Sequence, residues 1–135
     1  MKRSISHEKL AICTVEIAKD ETSLQSLDAV VDYLRRRVEA EPLARFIAVY
    51  DHYAHTLSLP GGAVAEGILG AKNLVFCFGI TLPSPEAMAL RPRSIGVCEL
   101  ADRFVLSFTE APMPVANLVM EKWATSLCER EAVEA

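Results

Sequence analysis

No apolar run in this chain approaches the ~20 residues that a helix needs to cross a bilayer. The basic amino terminus, from Met1 to Lys9, leads into no apolar signal core. The expectation is therefore a cytoplasmic protein with no membrane partner. An excess of positive charge is also missing: 14 Lys and Arg face 18 Asp and Glu, for a net charge of −4. The only basic run is Arg35-Arg36-Arg37, which reads as the solvated flank of a helix. A phosphate backbone would find no electrostatic footprint here, so no nucleic-acid partner is expected. The four cysteines, Cys13, Cys77, Cys98 and Cys128, contain no Cys-x-x-Cys pair and follow no export signal, which argues for reduced thiols and against a paired-thiolate zinc motif. A nucleophile elbow, a phosphate loop and a dinucleotide fingerprint are all absent and nothing requires a cofactor, so the first reading is a non-catalytic domain and the alternative a metal-dependent or His-centred enzyme or metal-binding protein using His52 and His55.

What the chain does have is apolar side chain, 51% of its residues, against 24% charged. Its 135 residues fit one domain, 1–135 with a core over about 10–128, and folding at this size removes roughly two-thirds of the unfolded surface from water. The apolar excess is expected to be covered by a second copy, making a homodimer, or by a small apolar ligand.

Periodicity supplies the elements. Leu10 to Ile17 alternates around branched residues, with Cys13, Val15 and Ile17 on one side, as a strand does. Thr22 and Gln25 have capping-box spacing. After them Leu27, Val30, Val31, Leu34 and Val38 recur at helical intervals until Pro42, so a helix is expected from about Ser23 to Glu39. Phe46 to His52 reads as a second strand and Thr56 to Leu59 as a short third one, joined by a turn at Tyr53-Ala54. Residues 63–73 are small and punctuated by glycine. Leu74 to Phe78 is apolar at every position, as in a strand covered on both faces. Three prolines make Leu82 to Pro92 a loop. Ser94 to Leu100 and Arg103 to Thr109 form a hairpin, with Phe104, Leu106 and Phe108 on one face. Pro114 opens a last helix lined by Ala116, Val119, Met120, Trp123 and Leu127, and the tail from Glu129 frays.

The order is β-α-β(4)-α. It predicts an α+β domain, a mostly antiparallel sheet with both helices on one face and the other face open. The open face is then where a second copy or an apolar ligand is expected to bind. The loops 60–72 and 82–92, through Val64, Ile68, Leu69 and Met88, supply its lid.

Several of these segments resemble a known family. The strand Phe46-Ile47-Ala48-Val49-Tyr50-Asp51-His52, the pair Phe78-Gly79, the run Ala89-Leu90-Arg91-Pro92 and the hairpin strands Ile95 to Glu99 and Arg103 to Phe108 look like the DUF302 domain, over about residues 22–112. That resemblance implies a fold related to the TATA-binding-protein repeat, often dimeric, without implying an activity. Ile80 and Thr81 depart from the asparagine-proline that usually follows the family's phenylalanine-glycine, and His55 lies outside its pattern.

The only dense patch of ionisable side chains is Asp51, His52 and His55, at the end of the second strand. His52 and His55 have a His-x-x-His spacing that Cys77 or Glu110 would complete into a site for zinc or another transition metal. On a strand, residues three apart point to opposite faces, so both imidazoles reach one ion only if the chain turns between them. The bland alternative is a strand-end histidine and a turn histidine. Asp51 next to His52 suggests an acid/base pair, but adjacent strand residues also diverge. The candidate ligand-binding set is Tyr50, His52, His55, Cys77 and Glu110, with His52 and His55 as the metal candidates. Cys77 between two phenylalanines reads as a buried thiol.

Overall fold

The computed structural model describes residues 1–3 and 11–128; Leu10, placed at the start of the first strand, and the tail from Glu129 lie outside them. Five strands form one sheet: β1 (Ile12–Ala18), β2 (Ala44–Asp51), β3 (Gly70–Phe78), β4 (Arg93–Glu99) and β5 (Arg103–Thr109). Their spatial order is β1-β5-β4-β3-β2, and every neighbouring pair is antiparallel. Among the described residues three α-helices complete it: α1 (Leu27–Ala40), α2 (His52–Ser58) and α3 (Pro114–Thr125). The α+β class holds, and with α2 set aside as an insertion so does the β-α-β(4)-α order.

Alternation along the strands decides which face is covered. Leu74, Phe76 and Phe78 of β3, Ile95 and Val97 of β4, and Phe104, Leu106 and Phe108 of β5 are all buried. They share one cluster with Val30, Leu34 and Val38 of α1 and with Ala116, Met120 and Trp123 of α3. Trp123 stands edge-on to Phe76, ring centroids 5.5 Å apart. Both long helices therefore pack on one face, as the sequence led us to expect. The reverse phase of β3, Val75 and Cys77, is only half-buried, so that strand is not covered on both sides. Register places Tyr50, Asn73, Gly96, Ser107 and Thr14 in one row across the open face, which mixes small and polar groups with Val75 and Val105.

Helix α1 starts later than the Thr22/Gln25 spacing suggested. Its cap is Ser26, whose side chain accepts from the Ala29 amide at 3.1 Å. Thr22 and Gln25 close the preceding turn instead: the Leu24 amide donates to Thr22 Oγ1 and Gln25 Nε2 donates to the Thr22 and Lys19 carbonyls. Glu99 ties this junction to the sheet, accepting from Lys19 Nζ at 2.8 Å and from the Leu27 amide at 3.2 Å. Arg35 and Arg36 of the arginine run are exposed, as expected, whereas Arg37 is half-buried with its Nε withdrawn from solvent. Arg36 and Arg35 pair along the helix with Asp32 and Glu39, and the Arg35 guanidinium lies over the Phe46 ring.

The largest difference falls at α2, His52–Ser58, which replaces the expected turn at Tyr53-Ala54 and the short strand expected over Thr56 to Leu59. Asp51 is its cap, Oδ1 accepting from the Ala54 amide at 2.9 Å. With the first turn satisfied in this way, His-Tyr-Ala-His-Thr-Leu-Ser continues helically and Ser58 Oγ donates to the His55 carbonyl. Residues 82–92 are the expected loop, tightened by a 3-10 turn over Pro85–Leu90 that Ser84 caps. Among the described residues, no helix is long and apolar enough to cross a membrane.

Candidate functional site

The helical start of α2 removes the geometric objection to His52 and His55. Residues three apart on a helix share a face, and the two imidazole centroids lie 5.3 Å apart. Tyr50, the last outward residue of β2, joins them. Its hydroxyl hydrogen-bonds His55 Nδ1, and its ring lies 5.9 Å from that of His52. The three side chains are exposed. Asp51, committed to its capping bond, takes no part as an acid/base partner of His52.

The other two expected members are elsewhere. Cys77 pairs across the sheet with Arg45, whereas Tyr50 pairs with Asn73, which separates Cys77 from the cluster by four strand residues, roughly 13 Å. Glu110 follows β5 and donates its amide to the Ala11 carbonyl beside β1, at the sheet edge away from β2. There it lines a hollow of about 290 Å3 with Cys13, Asn117 and Glu121. Burial, and then the charges of Glu121 and Glu110, push the Cys13 thiol above its ordinary range. Neither Cys77 nor Glu110 completes the histidine pair. Among the described residues, no group of three or more His, Cys, Asp or Glu is placed to hold a metal ion.

A different site emerges at the end of the sheet where β3 stops and β4 starts. A cavity of about 430 Å3 lies between the end of β3, the turn over 83–91 and the first turn of α3. Phe78, Leu43, Leu90, Pro112, Met113 and Ala116 give it apolar walls. The chain can bend away beneath it because Gly79 has φ +105°, a conformation that L side chains rarely adopt. The volume falls within the roughly 300–1,000 Å3 usual for small-molecule sites.

Two cations interrupt the apolar lining, Arg91 and Arg93. Arg93 opens β4 in the inward phase of Ile95 and Val97, and it is only 8% exposed. One Nη donates to the Thr109 carbonyl, while Nε is buried without an acceptor. Burial lowers the pKa of this guanidinium, because desolvation disfavours the charged form. Arg91 is nearer the rim, donating to the Thr81 carbonyl. Among the described residues, neither arginine pairs with a carboxylate, and no acidic side chain lines the cavity.

The cavity was not found from the sequence, because its walls come from segments far apart in the chain. One local signal pointed to it. Counting back in twos from Val97 and Ile95 puts Arg93 on the buried face of a strand, where a lone charge is unusual. Of the expected lid, residues 83–91 line this cavity, Ala89, Leu90 and Pro92 also border the open face, and Met88 is 59% exposed. The open face has a hollow of about 380 Å3, whose lining includes Asn73, Ser94 and Ser107, and Leu90 and Arg93 stand between it and the end cavity, lining both.

Fold and cavity together define an α+β domain with an apolar end pocket that contains buried positive charge. Residues 1–129 match the family of unknown function DUF6858, and the chain belongs to that family. This overturns the likeness to DUF302. The segments that carried it are short apolar strands and a Phe-Gly strand end, which antiparallel α+β domains share because a half-buried sheet demands them. No curated protein matches the chain, and no solved structure does.

Proposed function

We propose that this domain is a binding module for a small, mainly apolar molecule, held in the cavity at the end of β3. The observation that carries the reading is the cavity itself: about 430 Å3, walled by Phe78, Leu43, Leu90, Met113 and Ala116 and continuous with the core. Apolar walls left in contact with water cost free energy, at ~25 cal/mol per Å2, which a fitted apolar body recovers. The expected ligand is thus apolar in body, as the composition suggested, but its seat is under the helix layer rather than on the open sheet face.

The test is titration with 1-octanol and with octanoate, followed by calorimetry and by emission of Trp123, whose ring packs 6.3 Å from Phe78. Saturable binding of at least one probe is expected. Ala87→Phe, which fills the cavity from the 85–90 turn, abolishes that binding while thermal unfolding stays cooperative. If neither probe binds, or if binding is unchanged in both Ala87→Phe and Ala116→Leu, the reading is wrong.

A further inference from the structure

We infer that the ligand is a monocarboxylate, its acid group held by Arg93 and its apolar body lying along Phe78, Leu90 and Met113; this rests on the cavity reading above. The argument starts from what a buried guanidinium requires. It presents five N–H donors in a rigid planar fork and has no neutral form to retreat to at ordinary pH. Arg93 is 92% withdrawn from solvent, yet the acceptor it meets is a single uncharged carbonyl, that of Thr109, and its Nε has none. Buried cations in folded proteins are ordinarily matched by a carboxylate, because an unmatched one is strongly penalised. Among the described residues this chain does not supply that carboxylate, although acids outnumber bases 18 to 14 over its whole length. The anion proposed to match Arg93 is one that enters from outside.

Two further features favour the same sign of charge. Arg91 adds a second guanidinium at the rim, its Nη2 3.6 Å from where a Cβ on Gly79 would lie. The cavity also receives the first turn of α3, through Met113 and Ala116, with Pro114 opening the helix; the positive end of the helix dipole is at that turn. The anion is a carboxylate because a planar, singly charged group matches a guanidinium fork two oxygens at a time, and the remaining walls are apolar.

Matched eight-carbon probes separate the charge from the body. At pH 7, octanoate binds at least tenfold more tightly than methyl octanoate or 1-octanol, as a charge-assisted hydrogen bond predicts, and octylamine binds weakest. The preference disappears as pH falls through the carboxylate range, about 4–5. Arg93→Met lowers octanoate affinity to that variant's own affinity for 1-octanol, so that the charge preference is lost; Arg93→Lys restores part of the preference. Equal affinities for octanoate and the neutral probes in the wild-type protein overturn the carboxylate assignment while leaving an apolar site in place. A preference that survives in Arg93→Met does the same. Failure of every probe to bind overturns the apolar site and the carboxylate together. The wild-type comparison needs no variant to fold.

Discussion

Arg93 is the residue at which stability and binding pull apart. A desolvated guanidinium with an acceptorless Nε is a cost to the native state, and an unbranched apolar side chain of similar length fills the same space without it. Arg93→Met should therefore raise stability, by about 1 kcal/mol, even though it abolishes the octanoate preference. Urea unfolding followed by Trp123 emission measures this, and a marked loss of stability would show that Arg93 is a structural residue. Cys98 allows a second prediction at this scale. Burial raises its thiol pKa in the folded protein, so above the usual thiol value of about 8.5 the unfolded chain loses its proton first. The stability supplied by the neutral thiol is complete below that pH and declines as pH rises until the folded thiol also ionises. In Cys98→Ala this part of the alkaline decline disappears, which denaturation midpoints at pH 7 and pH 10 read directly.

At the scale of elements, Asp51 shows how one side chain converts a strand ending into a helix. Its bond to the Ala54 amide supplies one of the four acceptors that the first turn of α2 lacks. Asp51→Ala should cost about 0.5–2 kcal/mol at a cap of this kind. Because α2 has seven residues and none of them is buried, that cost is felt locally: the helix frays and Tyr50 separates from His55. Faster amide exchange at 54–58 with an unchanged global midpoint is the expected result.

This element also marks where the sequence stopped being legible. The core strands and α1 could be read from their period, because burial on one face imposes strict spacing: Leu27, Val30, Val31, Leu34 and Val38 are all buried as the helical pattern requires. Helix α2 buries nothing, so it imposes no period, and only the capping chemistry of Asp51 separates it from a strand. The same applies to the candidate site. Tyr50, His52 and His55 were recognised because they are close in sequence, and the structure does bring them together. Cys77 and Glu110 were added by residue type, and the sheet order β1-β5-β4-β3-β2, not visible locally, puts them out of reach. The cavity depends on the same long-range order, since Leu43, Phe78, Arg93 and Ala116 meet only once the sheet has formed.

At the scale of the whole molecule, the two clusters occupy opposite ends of the sheet. Ala44 pairs with Phe78 at the cavity end and Asp51 pairs with Lys72 at the histidine end. Along β3 six residues separate them, roughly 20 Å, β2 using one residue more because of its bulge between Phe46 and Ala48. The sheet between them is anchored by Phe76, Leu74 and Leu34, each fully buried, and a close-packed core of this kind transmits little from one end to the other without a second arrangement to switch to. A ligand at the cavity should therefore act locally on structure and globally on stability. At octanoate concentrations one hundred times its dissociation constant, binding to the folded state alone adds about 2.7 kcal/mol. Hydrogen exchange measured with and without octanoate should show extra protection concentrated in residues 79–93 and 113–117, whose backbone closes over the cavity, while 52–58 keep the exchange rates of the free protein. Protection centred on α2 would move the binding site to the Tyr50, His52 and His55 cluster. Uniform protection, with no local excess at the cavity, would mean that octanoate stabilises the fold without being held where Arg93 lies.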